Sequence, residues 1–332
     1  MAAVLRSLRA HWFLIALVVV MAAGVLGYES LRVPAESVPR DWLIALIMLT
    51  TSAPLELSRR LTGADSLKAV GVGLLVNAAL APPLAWVASQ LLAPPLALGL
   101  VVAAMAPCTL ASAAVWTRKG GGNEAAALLV TVITNLGCFV VLPFWATMLI
   151  DQELAAGAAR SVEASALARR LLLVVVLPLV CGQLLRRSLK IRAWCDHHRG
   201  AIGLVPLLGV LTMVFVGSVE AGQLLSRPET SVGWVDGLVL LLCAAVLHTL
   251  LFAIGWALGR AIAPREEALA AAVSGSQKTL TVGLDVALGF GGLVIVPMVA
   301  YHALQLLIDA VLVDRLGRHI TGQEGPHNEE EL

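Results

Sequence analysis

The stretch EALAAAVSGSQKTLTVGLDVALG, residues 267–289, decides how this chain is read. It has the length of a helix that crosses a bilayer, which takes about 20 apolar residues. Yet its centre is small and polar: Ser274, Gly275, Ser276, Gln277, Lys278 and Thr279 follow one another. A lysine at membrane depth costs on the order of 3 kcal/mol on insertion scales, and survives where it faces the bundle interior and has a partner. Asp285, seven residues on, is the nearest candidate and shares a helix face with it if the intervening turns are helical. The reading is a transmembrane helix broken at its middle, with a functional group at the break.

The rest of the chain agrees with a membrane setting. Of 332 residues, 59% are hydrophobic and 14% charged, with a mean hydropathy of +0.88. A soluble domain carries about 25% charged residues, so an ordinary soluble enzyme and a disordered chain are both excluded. A net charge of +1 gives no footing for nucleic acid. Ten apolar runs are long enough to span: 11–28, 41–57, 69–93, 96–117, 124–149, 167–186, 201–221, 234–262, 267–289 and 292–313. No strand-like alternation is present, and lipid leaves only helices or closed barrels, so an all-α integral membrane protein with ten transmembrane helices is expected. With the N-terminus in the cytoplasm, sixteen of the 23 Lys and Arg fall on the inner side and six on the outer, counting Arg169, Arg170, Arg186 and Arg260 at span ends with the sides they border, and Lys278 alone lies at the middle of a span. That asymmetry is what orients helical membrane proteins. It places both termini in the cytoplasm, with the plasma (inner) membrane the expected location.

Ten spans divide into two halves of five, about 11–149 and 167–313, and an odd number per half inserts the second half inverted. The fourth span holds Ala106-Pro107-Cys108-Thr109-Leu110-Ala111-Ser112, where Pro107 removes a backbone donor and interrupts the helix. The ninth holds the break at 274–279. Interrupted helices at matching positions of two halves mark a transporter's midplane site, with Thr109, Ser112, Ser274, Ser276, Gln277, Lys278 and Thr279 as its polar groups. His302, Gln305 and Asp309 share a face of the last span through spacings of three and four. Asn77, before Pro82-Pro83, and Thr131, Thr134 and Asn135 form a smaller polar set, readable equally as interhelical hydrogen bonds. His248, lone in the eighth span, reads as a packing residue.

Other features carry less. Arg6 and Arg9 before Trp12–Gly27 resemble a signal peptide, but the apolar run is long for one and is read as the first retained helix. Five scattered cysteines form no CxxC pair. Cys195, His197 and His198 read as part of a basic loop rather than a metal site, so no metal and no cofactor is expected. Glu56 pairs at a helix end with Arg59 and Arg60. Gly121, Gly122 and Asn123 form the turn opening span 5. Residues 1–316 make the transmembrane domain and the polar stretch 317–332 a cytoplasmic tail, expected to be disordered.

The segment Thr117-Arg118-Lys119-Gly120-Gly121-Gly122-Asn123-Glu124-Ala125-Ala126-Ala127 resembles the connection after the first broken helix in the bile acid:sodium symporter family. Ser274-Gly275-Ser276-Gln277-Lys278-Thr279 and Tyr301-His302-Ala303-Leu304-Gln305-Leu306-Leu307 resemble its SBF-like branch. The resemblance implies a panel of spans 1, 2, 6 and 7 and a core of spans 3–5 and 8–10. Broken helices 4 and 9 would cross at the midplane, with substrate bound between core and panel and carried by alternating access. It also implies sodium ligands, and here the carry-over is mixed. Asn77, Thr131 and Gln277 match the helix-3, helix-5 and second-break positions. The acidic position is Val273, an asparagine position is Lys278, and a Ser-Asn pair is Ala113-Ala114. An ammonium in that volume repels sodium, so Lys278 is expected to stand in for the cation, with coupling to protons or none.

The expected function is secondary transport of a small organic anion, since half-helix N-termini and Lys278 favour negative charge. Partners are the lipid bilayer and that solute; no oligomeric state follows. The rival classes are a non-transporting membrane regulator or channel, and an intramembrane hydrolase using Ser274 or Ser276 with His248 or His302. No hydrolase motif supports the last.

Overall fold

The computed structural model describes residues 2–55, 63–150, 163–227 and 232–321. Every regular element among them is helical. In chain order these are α1 (Ala2–Leu26), α2 (Tyr28–Glu36), α3 (Arg40–Ser52), α4 (Ala64–Ser89), α5 (Pro94–Met105) and α6 (Ser112–Lys119). They continue with α7 (Glu124–Leu149), α8 (Ala164–Leu185), α9 (Leu189–His197), α10 (Arg199–Leu225) and α11 (Trp234–Ile262). The last are α12 (Arg265–Ser276), α13 (Leu280–Phe290) and α14 (Ile295–Thr321). Among the described residues six helices are long and apolar enough to cross a membrane, seven if α1 and α2, bent by 108° at Gly27, count as one. Glu56, Arg59, Arg60 and most of the expected tail lie outside the described residues. The last helix runs on to Thr321, into the stretch expected as tail.

Three of the short helices, α5, α12 and α13, are the most deeply buried. Leu96 to Met105 of α5 and nearly all of α12 and α13 are covered on every side. The long helices α7, α8 and α11 instead turn residues such as Val140, Leu173, Leu242 and Val246 outward. Interrupted helices expose backbone groups that lipid cannot satisfy, so they sit where other helices surround them.

Small residues bring the helices close. A Cβ on Gly255 or Gly259 of α11 would lie 2.8 Å from the Cα of Ala272 or Ala268 of α12, a small-xxx-small contact on both sides. Gly24 of α1 and Gly222 of α10 make the matching approach. The turn into α7 forms as expected: Gly121 has φ +77°, and the Asn123 side chain caps the N–H groups of Ala125 and Ala126. Asn123 Nδ2 also donates to Glu267 Oε1 (2.7 Å) and Ser66 Oγ (3.1 Å), pinning the starts of α4, α7 and α12 together.

Prolines shape α4. Pro82 and Pro83 offer no N–H, and the helix widens to a π segment over Leu75–Leu80, in which Ala81 N–H bonds to Val76 O. Asn77 and Ala78 carbonyls then lose their normal donors. The Trp145 indole N–H serves Ala78 O at 2.7 Å. Asn77 O is served by Lys278.

Candidate functional site

Lys278 lies between α12 and α13, is fully buried, and places Nζ 2.6 Å from Asn77 O. The ammonium therefore fills the acceptor that the proline pair leaves open. The backbone of the same break is clothed by side chains. Asn77 Nδ2 donates to the carbonyls of Ser274 (3.1 Å), Gly275 (3.3 Å) and Gln277 (2.9 Å). The Gln305 amide accepts from Lys278 N–H (2.9 Å) and donates to Lys278 O (3.1 Å), while Tyr301 Oη donates to Ser276 O at 2.8 Å. His302 Nδ1 lies 2.9 Å from Gln305 Nε2.

The first break, between α5 and α6, is clothed from α7. Thr131 Oγ1 donates toward Thr109 O (3.3 Å), Thr134 Oγ1 accepts from Cys108 N–H (3.2 Å), and Asn135 Nδ2 donates to Cys108 O (2.7 Å). The two breaks meet directly: Thr279 N–H donates to Pro107 O at 2.8 Å. Gln277 ties them through side chains, its Oε1 accepting from Thr109 Oγ1 (2.5 Å) and Ser112 Oγ (2.9 Å). Its Nε2 donates to Asp309 Oδ2 (2.6 Å), and Asp309 Oδ1 lies 2.9 Å from His248 Nε2. Both members of that last pair are wholly buried.

A cavity of about 640 Å³ adjoins the crossing point. Thr109, Ser112, Thr279, Thr281 and His302 line it from the broken helices and α14, while Phe13, Met48 and Val210 face them from α1, α3 and α10. It extends to Arg118, Glu124 and Arg199 at one end of the bundle. Toward the other end, Arg170 of α8 pairs with Asp41 (2.8 Å) and with the buried Asp285 of α13 (2.7 Å), and Arg40 pairs with Glu220.

Most expected site residues therefore converge, but not all as expected. No ion pair joins Lys278 to Asp285 among the described residues: Arg170, near the start of α8, reaches in and takes that carboxylate. The three carried-over positions do not surround the ammonium. Asn77 offers its carbonyl, whereas Thr131 faces Thr109 and Gln277 turns toward Asp309. Ser274 and Ser276 bond back to Ala270 O and Ala272 O within their own helix, so neither is set beside a histidine as a nucleophile. His248 and Asp309 are the members that residue types alone undervalued. Asp309 carried the stronger signal, a carboxylate one helical turn beyond Gln305 at a depth where charge is as costly as at Lys278.

The chain is similar to known transport proteins. The "Probable sodium/metabolite cotransporter BASS4, chloroplastic" of Arabidopsis thaliana is 32% identical over 241 residues, 65% of this chain and 51% of its own length. The chain thus spans about half the length of that plant relative. "Sodium/bile acid cotransporter 7" of Xenopus tropicalis is 25% identical over 327 residues, covering 93% of this chain and 92% of its own. An uncharacterized protein of Pseudomonas aeruginosa, PA2026, is 25% identical over 250 residues. Residues 11–318 match the SBF-like CPA transporter family, a family of transporters and not of enzymes. With that match over nearly its whole length, and with two broken helices crossing beside a cavity in a helical membrane protein, the chain belongs to the SBF-like CPA transporter family.

Proposed function

We propose that the protein is a secondary carrier that moves a small organic anion by alternating access. The observation that carries this reading is the cavity walled by both helix breaks on one side and by α1, α3 and α10 on the other. Ten spans in two inverted halves account for the elements: seven by length with α1–α2 as one, and α3, α5–α6 and α12–α13 as the other three. The fourth span of each half is then the broken one. In support of a core and a panel, α4, α7, α11, α12 and α14 pack among themselves, and α1, α3, α8 and α10 among themselves. Anionic substrate is favoured by the N-termini of α6 and α13, which both open at the cavity. The names of the relatives suggest bile acids or smaller metabolites as the class to try first.

In this reading both termini lie in the cytoplasm, and the cavity end with Arg118 and Arg199 faces inward. The ion pairs of Arg170 with Asp41 and Asp285 then close the outer end. Solute exchanges by opening those pairs as the cavity closes on the inner side.

Coupling follows from the break. The buried Lys278 amino group on Asn77 O lies beside the positions where sodium ligands would stand, and when protonated it supplies the positive charge in place of a cation. The missing carboxylate at Val273 and the paired alanines at 113 and 114 remove ligands as well. Coupling then falls to protons or is absent. Sodium coupling is the second reading, favoured by the names of the relatives. The test is uptake of labelled taurocholate and of small labelled carboxylates into proteoliposomes in sodium-free choline buffer. Uptake that persists without sodium is expected. Strict sodium dependence, unchanged in Lys278→Ala, overturns the coupling assignment, and no counterflow of any organic anion overturns the carrier reading.

A further inference from the structure

A second cavity, of about 460 Å³, lies away from the helix breaks, between α7, α8 and α9. Its walls are apolar: Val132 and Leu136 from α7, Val180 and Leu184 from α8. Val180 and Leu184 are 37% and 50% exposed, so the groove opens sideways onto the surface where a helical membrane protein meets lipid. One end is basic, with Arg186, Arg187 and Arg192.

Those three arginines are not equivalent. Arg186 is committed to the protein, donating to Asp196 Oδ1 (2.8 Å) and Ala53 O (3.3 Å). Its hydrogen bond, with Arg199 beside it, holds the Asp196 carboxyl below its ordinary range. The Arg187 side chain is exposed and makes no ion pair or hydrogen bond with the described residues, and Arg192 is held only by a long, exposed ion pair with Asp196 at 3.9 Å. From residue 186 to 199 the chain carries five Lys and Arg against Asp196 as its lone carboxylate. The adjoining helix α9 turns Leu189 (80% exposed) and Trp194 (56% exposed) outward beside Lys190 and Arg192, the composition of a helix lying in the headgroup layer.

An apolar lateral groove ending in the unpaired Arg187 side chain and the loosely paired Arg192 matches a ligand with hydrocarbon chains and a negative head. Basic pockets between membrane helices bind such headgroups. We propose that the groove between α7 and α8 is a binding site for an anionic phospholipid. The acyl chains lie along Val132, Leu136, Val180 and Leu184, and the phosphate sits between Arg187 and Arg192. Because the walls come from two different helices, a bound lipid also bridges α7 and α8 along their outer face.

The full-length protein, purified in neutral detergent, is titrated with phosphatidylglycerol or phosphatidylcholine. Bound lipid is counted by native mass spectrometry, and thermal stability is followed in parallel. Phosphatidylglycerol is expected to bind more tightly and to raise the Tm. The double variant Arg187→Gln/Arg192→Gln is expected to weaken its binding roughly 30-fold, the equivalent of about 1 kcal/mol per arginine. Arg260→Gln, a basic residue at the end of α11 and outside the groove, leaves it unchanged. Both groove arginines are exposed, so the double variant keeps its fold, checked by its Tm in phosphatidylcholine. Equal binding of the two lipids, undiminished phosphatidylglycerol binding by the double variant, or the same stabilisation by inorganic phosphate alone would each overturn the assignment.

Discussion

At the scale of single residues, the centre of this protein is a set of exchanges between backbone left open and side chains brought to it. Lys278 and Asn77 show the logic most plainly. Pro82 and the π segment deprive Asn77 O of its donor, and the ammonium from a distant helix supplies one. Lys278→Met keeps most of the volume but leaves that carbonyl buried without a partner, a loss of about 1–3 kcal/mol. It is expected to lower the Tm of the purified protein, and Lys278→Arg is expected not to restore it, because the planar fork does not fit a site built for a point charge. Asn77→Ala keeps the carbonyl but uncaps Ser274, Gly275 and Gln277, so it should destabilise at least as much as Lys278→Met. Equal stability of parent and both variants would refute this account of the break. Lys278 was conspicuous in the sequence because charge is scarce there. Its partner was not, because a backbone carbonyl carries no residue-type signal.

At the scale of elements, apolar length and proline placement were readable directly. Spans 124–149 and 234–262 coincide with α7 and α11, where nothing interrupts the helical hydrogen bonds in a way that ends the run. The expected spans 96–117 and 267–289 divide into α5–α6 and α12–α13 at the polar stretches quoted for them. The bend at Gly27 was not foreseen: glycine ends a helix only when the next segment has somewhere else to pack, and α2 packs on α10. The same holds for the close approach of α11 to α12. Gly259→Leu sets a branched side chain where a Cβ already meets Ala268 Cα at 2.8 Å. Overpacking of this kind costs typically about 1–3 kcal/mol. The variant is expected to show reduced folded yield by size-exclusion chromatography, with Gly237→Leu, where a Cβ meets nothing within 4 Å, as the tolerant control.

At the scale of the whole molecule, one end of the bundle is hollow and the other is tied. The cavity reaches Arg118, Glu124 and Arg199, and the ties are the Arg170 and Arg40 ion pairs. In the proposed orientation, with the Arg118 and Arg199 end facing inward, a cysteine introduced at Thr281, on the cavity wall, is expected to react with a membrane-impermeant maleimide from the cytoplasmic side of vesicles. Arg170→Gln removes the tie to Asp285, and labelling of the same cysteine from the outer side should rise several-fold. Labelling that stays one-sided in Arg170→Gln would show that these pairs do not hold the outer end shut.

What the sequence alone determined was whatever depends on neighbours along the chain. Apolar run length, the proline at the first break, the polar patch at the second and the turn at Gly121–Asn123 act through local backbone geometry and through transfer from water to lipid. Each is therefore written where it acts. The tertiary structure decided the pairing. Asp285 answers to Arg170 rather than Lys278, Gln277 and His248 both to Asp309, and Lys278 to a carbonyl some two hundred positions away. In a dehydrated interior every buried charge and open backbone group needs a partner. Which of several eligible partners it finds is set by how the helices are brought together.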